Sequence, residues 1–153
     1  MKTHTYTYYL SSETRDGGTI ADAIFNTKMM TLRDNYVGYC LYVDNITLDT
    51  DDNNISQLVF RITNINQLNS YNSINKSGSN VIATLINSNQ DPTRVADVAS
   101  SYQNPEAPIL ISNLPDTMNV LISSPANSTA LDLTSDANHW TMKLRIDAYL
   151  PCQ

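Results

Sequence analysis

The chain has 153 residues, of which 41% are hydrophobic and 16% charged, and its net charge is −6. That length fits one domain, residues 1–153, large enough to bury a full core without disulfides or metals. Its nine Lys and Arg residues are scattered from Lys2 to Arg145; with no basic arm or stripe, counterion-displacing nucleic-acid binding and attraction to an anionic membrane are excluded.

The polar share is made up by neutral side chains, Asn, Ser and Thr filling 49 positions. Asn and Ser favour turns and Thr favours strands, a mixture that suits many strands joined by long surface loops. Tyr6, Tyr8 and Leu10 alternate with Thr5, Thr7 and Tyr9, which predicts a first strand polar enough for a sheet edge. A connector rich in turn residues follows from Ser11 to Thr19, containing the Gly17-Gly18 pair. Over Ile20 to Phe25 two readings compete: Thr19 with Asp22 fits the cap of a short helix, while the alternation of Ala21, Ala23 and Phe25 favours a second strand. A short strand is expected over 28–32, ending at Arg33-Asp34-Asn35. Tyr36 to Val43 predicts a strong strand, extended by Ile46 to Leu48 beyond a bulge at Asp44-Asn45. Across the acidic loop 49–54, Ile55 to Ile65 predicts another long strand, with Leu58, Phe60 and Ile62 inward and Gln57, Arg61 and Thr63 outward.

Two excursions interrupt the second half. Residues 66–80 form a loop rich in Asn and Ser, and compact domains seldom keep so long a loop without a use for it. Val81 to Ile86 reads as a strand. In 87–108, Asp91 as cap and Pro92 as first helical residue predict one short helix near 92–101, with Val95, Val98, Ala99 and Tyr102 on one face. Ile109 to Ile111, Met118 to Ile122 and Ala130 to Leu133 are further strands. The clearest signal closes the chain: from Trp140 to Leu150 every second residue is apolar, with Lys143 and Arg145 as neighbours on the wet face. Eight to ten evenly spaced strands with little helix predict an all-β sandwich or barrel.

Little in this chain carries chemistry. Asp49, Asp51 and Asn53 have the one-three-five spacing of a calcium loop, but Asn54 stands where that loop has Gly and Phe60 where it has Glu. This is the one metal candidate, against a charged turn between two strands, and the expectation is no metal and no cofactor. The two histidines, His4 and His139, are too few for a triad or a His-based metal centre. No serine elbow, dinucleotide fingerprint or phosphate loop is present, so no catalytic residue is assigned. Cys40 and Cys152 lack a CxxC partner and are read as two reduced thiols, with Cys40 packed as a small hydrophobe. No apolar run reaches membrane-spanning length, and Met1 to Tyr6 offers no apolar signal segment, so synthesis without a signal peptide is expected. Nine tyrosines are many for this length, and Tyr is enriched in protein–protein and sugar contacts.

These segments together give the chain a familiar rhythm. The connector Ser11-Ser12 to Gly18, the strand Tyr36-Val37-Gly38-Tyr39-Cys40-Leu41-Tyr42-Val43 with its Asn-containing turn, Leu114-Pro115-Asp116-Thr117-Met118-Asn119-Val120, and Trp140-Thr141-Met142-Lys143-Leu144-Arg145-Ile146 carry it. In this the chain resembles single jelly-roll capsid proteins of double-stranded DNA viruses, of the penton and minor capsid type. The resemblance implies a jelly-roll β-sandwich of about eight strands in two antiparallel sheets. It implies a non-catalytic penton, minor capsid or cement subunit of an icosahedral virion, partnered by copies of itself and by other capsid proteins, and made in the host cytoplasm. Candidate assembly contacts are Tyr6, Tyr8, Tyr71, Tyr102, Lys143 and Arg145. The competing expectation is a fibre-head or lectin-like β-sandwich that binds a glycan or a receptor, although the alternation places Trp140 with the core and not on a binding platform.

Overall fold

A computed structural model of the chain describes residues 3–28, 35–49, 57–68, 71–72, 77–78, 80–86, 95–97, 108–126, 129–133 and 138–152. The described residues are all-β: β1 (Thr3–Ser11), β2 (Gly17–Gly18), β3 (Asp22–Asn26), β4 (Gly38–Asp49), β5 (Gln57–Ile62), β6 (Tyr71–Asn72), β7 (Ser77–Gly78), β8 (Val81–Ile86), β9 (Val95–Asp97), β10 (Ile109–Ile111), β11 (Thr117–Ser123) and β12 (His139–Tyr149). One antiparallel sheet runs β1-β12-β4-β10, with β9 also paired to β4; the second runs β2-β3-β11-β5-β8; β6 and β7 form a separate ribbon. The two large sheets face each other as a β-sandwich.

β12 sits between two long partners, β1 over nine residue pairs and β4 over eleven. Residues directly opposite each other in such a ladder share a face. Trp140, Met142, Leu144, Ile146 and Ala148 are therefore aligned with Leu48, Ile46, Val43, Leu41 and Tyr39 of β4. All five β12 residues are buried, as are Leu41, Ile46 and Leu48. The inward set of β4 is odd-numbered up to Val43 and even-numbered from Ile46. The register explains the change of phase: Lys143 pairs with Asn45 and Leu144 with Val43, leaving Asp44 as the extra residue of a β-bulge. The expected bulge is thus present, and it makes one continuous strand of the two predicted segments.

The second sheet supplies the opposite wall. Ala23 and Phe25 of β3, Met118, Val120 and Ile122 of β11, Leu58, Phe60 and Ile62 of β5, and Ile82 and Leu85 of β8 are all buried. Trp140 joins the walls. Its ring meets Phe25 and Phe60 edge-on, with centroids 5.8 and 5.7 Å away, and its indole N–H donates to the Ile20 carbonyl at 2.8 Å. Its backbone N–H donates to Ser12 Oγ at 3.0 Å. Ile20 is held in place by the β2–β3 turn, where Gly18 takes φ +76° and any Cβ would meet the Asp22 carbonyl oxygen at 2.0 Å.

Three sequence expectations need correction. Val95–Asp97 form β9, in register with Thr47 to Asp49, and are not part of a helix; the rest of 92–101 lies outside the described residues. Pairing with a free edge of β4 outweighs the capping signal at Asp91-Pro92. Arg61 is 2% exposed, not outward to water. Alternation told correctly that it lies opposite Phe60 and Ile62, but could not tell that this outer face is covered. Its Nε donates to Ser123 Oγ at 3.0 Å and its Nη1 to Asn80 Oδ1 at 3.1 Å, and burial pulls its pKa below the ordinary guanidinium value. Of the strand expected over 130–133, Ala130 alone makes a bridge, to Ser123. The strand expected over 28–32 falls outside the described residues beyond Lys28.

Two variants test this frame by urea denaturation. Trp140→Ala is expected to cost about 3–5 kcal/mol, since an aromatic shared by both walls is removed. Deleting Asp44 leaves an unbroken ladder with every core pair retained, so stability is expected within about 1 kcal/mol of native. Deleting Thr47 turns Leu48 to the wet face and is expected to cost at least about 2 kcal/mol.

Candidate interaction surface

The outer face of the first sheet is built by the residues that alternate with the core set. Reading across β1, β12 and β4, the rows are Ser11–Thr141–Thr47, Tyr9–Lys143–Asn45, Thr7–Arg145–Tyr42 and Thr5–Asp147–Cys40. The rows are tied laterally. Thr5 Oγ1 donates to Asp147 Oδ1 at 2.7 Å, the Thr47 and Thr141 hydroxyls lie 2.6 Å apart, and His139 Nε2 meets Asp49 Oδ2 at 2.5 Å.

The bulge puts Asp44 among the two cations of this face. Its Oδ2 is 4.0 Å from Lys143 Nζ and its Oδ1 is 3.7 Å from Arg145 Nε. The Arg145 guanidinium lies 4.2 Å from the Tyr42 ring centroid and Lys143 Nζ 5.8 Å from that of Tyr9. The basic pair seen in the sequence is therefore largely balanced within its own sheet, by Asp44 and by two aromatic faces. Exposed ion pairs of this kind contribute about 0–1 kcal/mol each, so the arrangement shapes the surface more than it stabilises the fold. Sequence reading missed Asp44 as the partner; the break in β4 alternation at that residue was the available signal. Beside it an open depression of about 380 Å³ is lined by Tyr9, Leu10, Ser11, Asn45, Thr141, Met142 and Lys143. Tyr9 is 75% exposed.

The remaining candidates are placed differently. Tyr6 and Tyr8 pair with Ile146 and Leu144 and so point to the inner side of β1, half-buried. Tyr36 gathers a cluster at that end of the sheet: its hydroxyl lies 2.5 Å from that of Tyr6 and 2.7 Å from His4 Nδ1, and its ring stands edge-on to Tyr39 at 5.8 Å. Tyr8 donates its hydroxyl to the Thr27 carbonyl at 3.4 Å. Tyr71 begins β6, and Tyr102 lies outside the described residues. Of the calcium-loop candidates, Asp49 is the carboxylate paired with His139, while Asp51 and Asn53 lie outside the described residues. Among the described residues no three His, Cys, Asp or Glu side chains converge as a metal site. Cys40 is buried and Cys152 exposed, both as free thiols. No described helix is long and apolar enough to cross a membrane.

Three phenols of this sheet are shifted upward. Tyr149 is pushed up to about 12, first by a hydrogen bond shared with the Cys40 thiol and then by burial. Burial raises Tyr8 and Tyr42. No family model matches the chain, and no curated protein is significantly similar to it.

The raised phenols set a pH dependence. The folded state keeps protons that the unfolded chain has lost, so their contribution is complete below the ordinary phenol pKa of about 10 and disappears as pH rises through the folded values. Stability is expected to fall steadily from pH 10 toward 12. Ultraviolet titration of the folded protein should show a fraction of phenols ionising above the ordinary phenol range. Ionisation of all nine tyrosines in one step near pH 10, with stability unchanged, would contradict the assignment.

Proposed function

We propose that this chain is a structural subunit of a viral capsid, with a single jelly-roll fold, acting through protein–protein contacts in an icosahedral shell. The observation that carries the reading is the pairing order of the strands. With the two-residue strands β2, β6 and β7 set aside, together with β9, which lies off the strand path of its sheet, eight strands remain. The first pairs with the last (β1–β12), the second with the seventh (β3–β11), the third with the sixth (β4–β10) and the fourth with the fifth (β5–β8). That is one long hairpin folded back on itself, the pairing expected of two Greek keys wrapped into a jelly roll. The β12–β4 and β11–β5 pairings then join those four pairs into two sheets.

Jelly rolls serve viral capsids and also lectins. The resemblance of the sequence to single jelly-roll capsid proteins favours the first, as do its net charge of −6 and the scatter of its Lys and Arg residues along the chain. Lys143 and Arg145 stay candidate contacts, each side chain being more than a third exposed after pairing with Asp44. A second reading, a glycan-binding module, is favoured by one feature: the exposed Tyr9 beside a depression whose lining includes Leu10 and Met142 as well as Ser11, Asn45 and Thr141.

The mass of the particle in which the native chain is purified separates the two. The capsid reading predicts a megadalton assembly with closed symmetry. A small oligomer that binds a glycan array, and loses that binding in Tyr9→Ala, would overturn it in favour of the second.

A further inference from the structure

We propose that β1 pairs edge to edge with β1 of a second copy of this chain, antiparallel and centred on Thr7, so that the β1-β12-β4-β10 sheet continues across a two-fold axis. The inference names a contact within the self-association put forward above; it rests on that reading only for self-association and not for a closed shell.

An open sheet edge is a row of unpaired N–H and C=O groups, and proteins ordinarily cover or disrupt such edges. Three other edges of the described sandwich are managed in that way. Along β3, Asp16 N donates to the Ile24 carbonyl at 2.8 Å, Asn26 N donates to Asp16 Oδ2 at 2.7 Å and Thr19 N to the Asp22 carbonyl at 2.9 Å. Along β10, Leu68 N donates to the Leu110 carbonyl at 2.8 Å and Gln67 bridges Ile111. The β8 edge is short and bulged, and the Gln67 side-chain amide caps its Val81 carbonyl. Among the described residues β1 carries one such device, at its last residue, where the Thr14 hydroxyl donates to the Ser11 carbonyl at 3.4 Å. It is paired to β12 along its full length from Thr3 to Ser11, and among the described residues no backbone hydrogen bond reaches its other side. Its sequence, THTYTYYLS, contains no Pro, Gly, Asp, Glu, Lys or Arg. A straight, uncharged strand of nine residues is the kind that another strand extends.

Geometry selects the occupant and the register. A two-fold axis perpendicular to the sheet preserves its faces, so opposed residues must both be inward or both outward. Residue numbers of each opposed pair therefore sum to an even number, and the axis passes through a residue. Full overlap of Thr3–Ser11 puts that axis at Thr7. Tyr6 then opposes Tyr8 of the second copy on the inner face, twice by symmetry, and Thr5 opposes Tyr9 on the outer face. Aromatic and Thr–aromatic cross-strand pairs of this sort are favourable, and no like charges meet. The 75% exposed Tyr9 gains a neighbour on its open side.

Hydrogen exchange of the native chain, followed at low and high protein concentration alongside sedimentation, reads the edge directly. Protection of β1 amides is expected to rise about tenfold or more as the dimer forms. In a Cys152→Ser background, Thr7→Cys is expected to cross-link the dimer on mild oxidation, while Thr19→Cys on the β2–β3 turn is not. Unchanged β1 exchange at both concentrations overturns the inference, and so does a Thr7→Cys protein that stays uncross-linked. Particles that assemble with β1 unprotected would sink this inference and leave the capsid reading standing. A β1-paired dimer that never forms larger particles would uphold it while the capsid reading fails.

Discussion

β12 is hydrogen-bonded along both edges, and that constraint governs the molecule. A strand clamped between β1 and β4 cannot drift from a period of two, so Trp140, Met142, Leu144, Ile146 and Ala148 are committed to the core and Thr141, Lys143, Arg145 and Asp147 to the outer face. The partners must obey the same phase. β1 does so by plain alternation. β4 does so by the extra residue Asp44, which brings Ile46 and Leu48 back under Met142 and Trp140. Trp140 then transmits the order of this sheet to the other through Phe25, Phe60 and the Ile20 carbonyl.

The same bulge that satisfies the core dictates the surface. A residue expelled from the ladder has to point somewhere, and Asp44 points between Lys143 and Arg145. The wet face is thereby nearly self-neutralised and laced with threonine hydroxyls. Exposed ion pairs of this kind add little to the stability of the sheet. The unspent hydrogen-bonding capacity lies instead along the β1 edge, which among the described residues pairs with β12 on one side only. Association through that edge would leave the core, the ion pairs and the aromatic cluster around Tyr36 as they are.

Much of the fold was legible because strands with one buried face write it as alternation. β12, β1 and β4 were found from that signal, and the bulge from its interruption. Arg61 marks the limit of the method: periodicity assigns a side chain to a face but cannot tell whether that face is covered. Val95–Asp97 mark another, since local capping residues at 91–92 predicted a helix where a long-range ladder with β4 decides. The surface was less legible. Lys143 and Arg145 stood out as a basic pair, but their joint partner is one strand away, and the His4–Tyr36–Tyr6 chain has no sequence motif, since it arises from which strands become neighbours. The edge position of β1, by contrast, was legible in the polarity of its alternation.

We propose that copies of this sandwich associate through the β1 edge, which among the described residues is left open along most of its length. A high-resolution structure of the associated form tests it most directly. The account predicts two copies whose sheets run into one another through antiparallel β1 strands, with Thr7 on the two-fold axis. Copies that meet only through their loops or outer faces, with both β1 edges left in solvent, would contradict it.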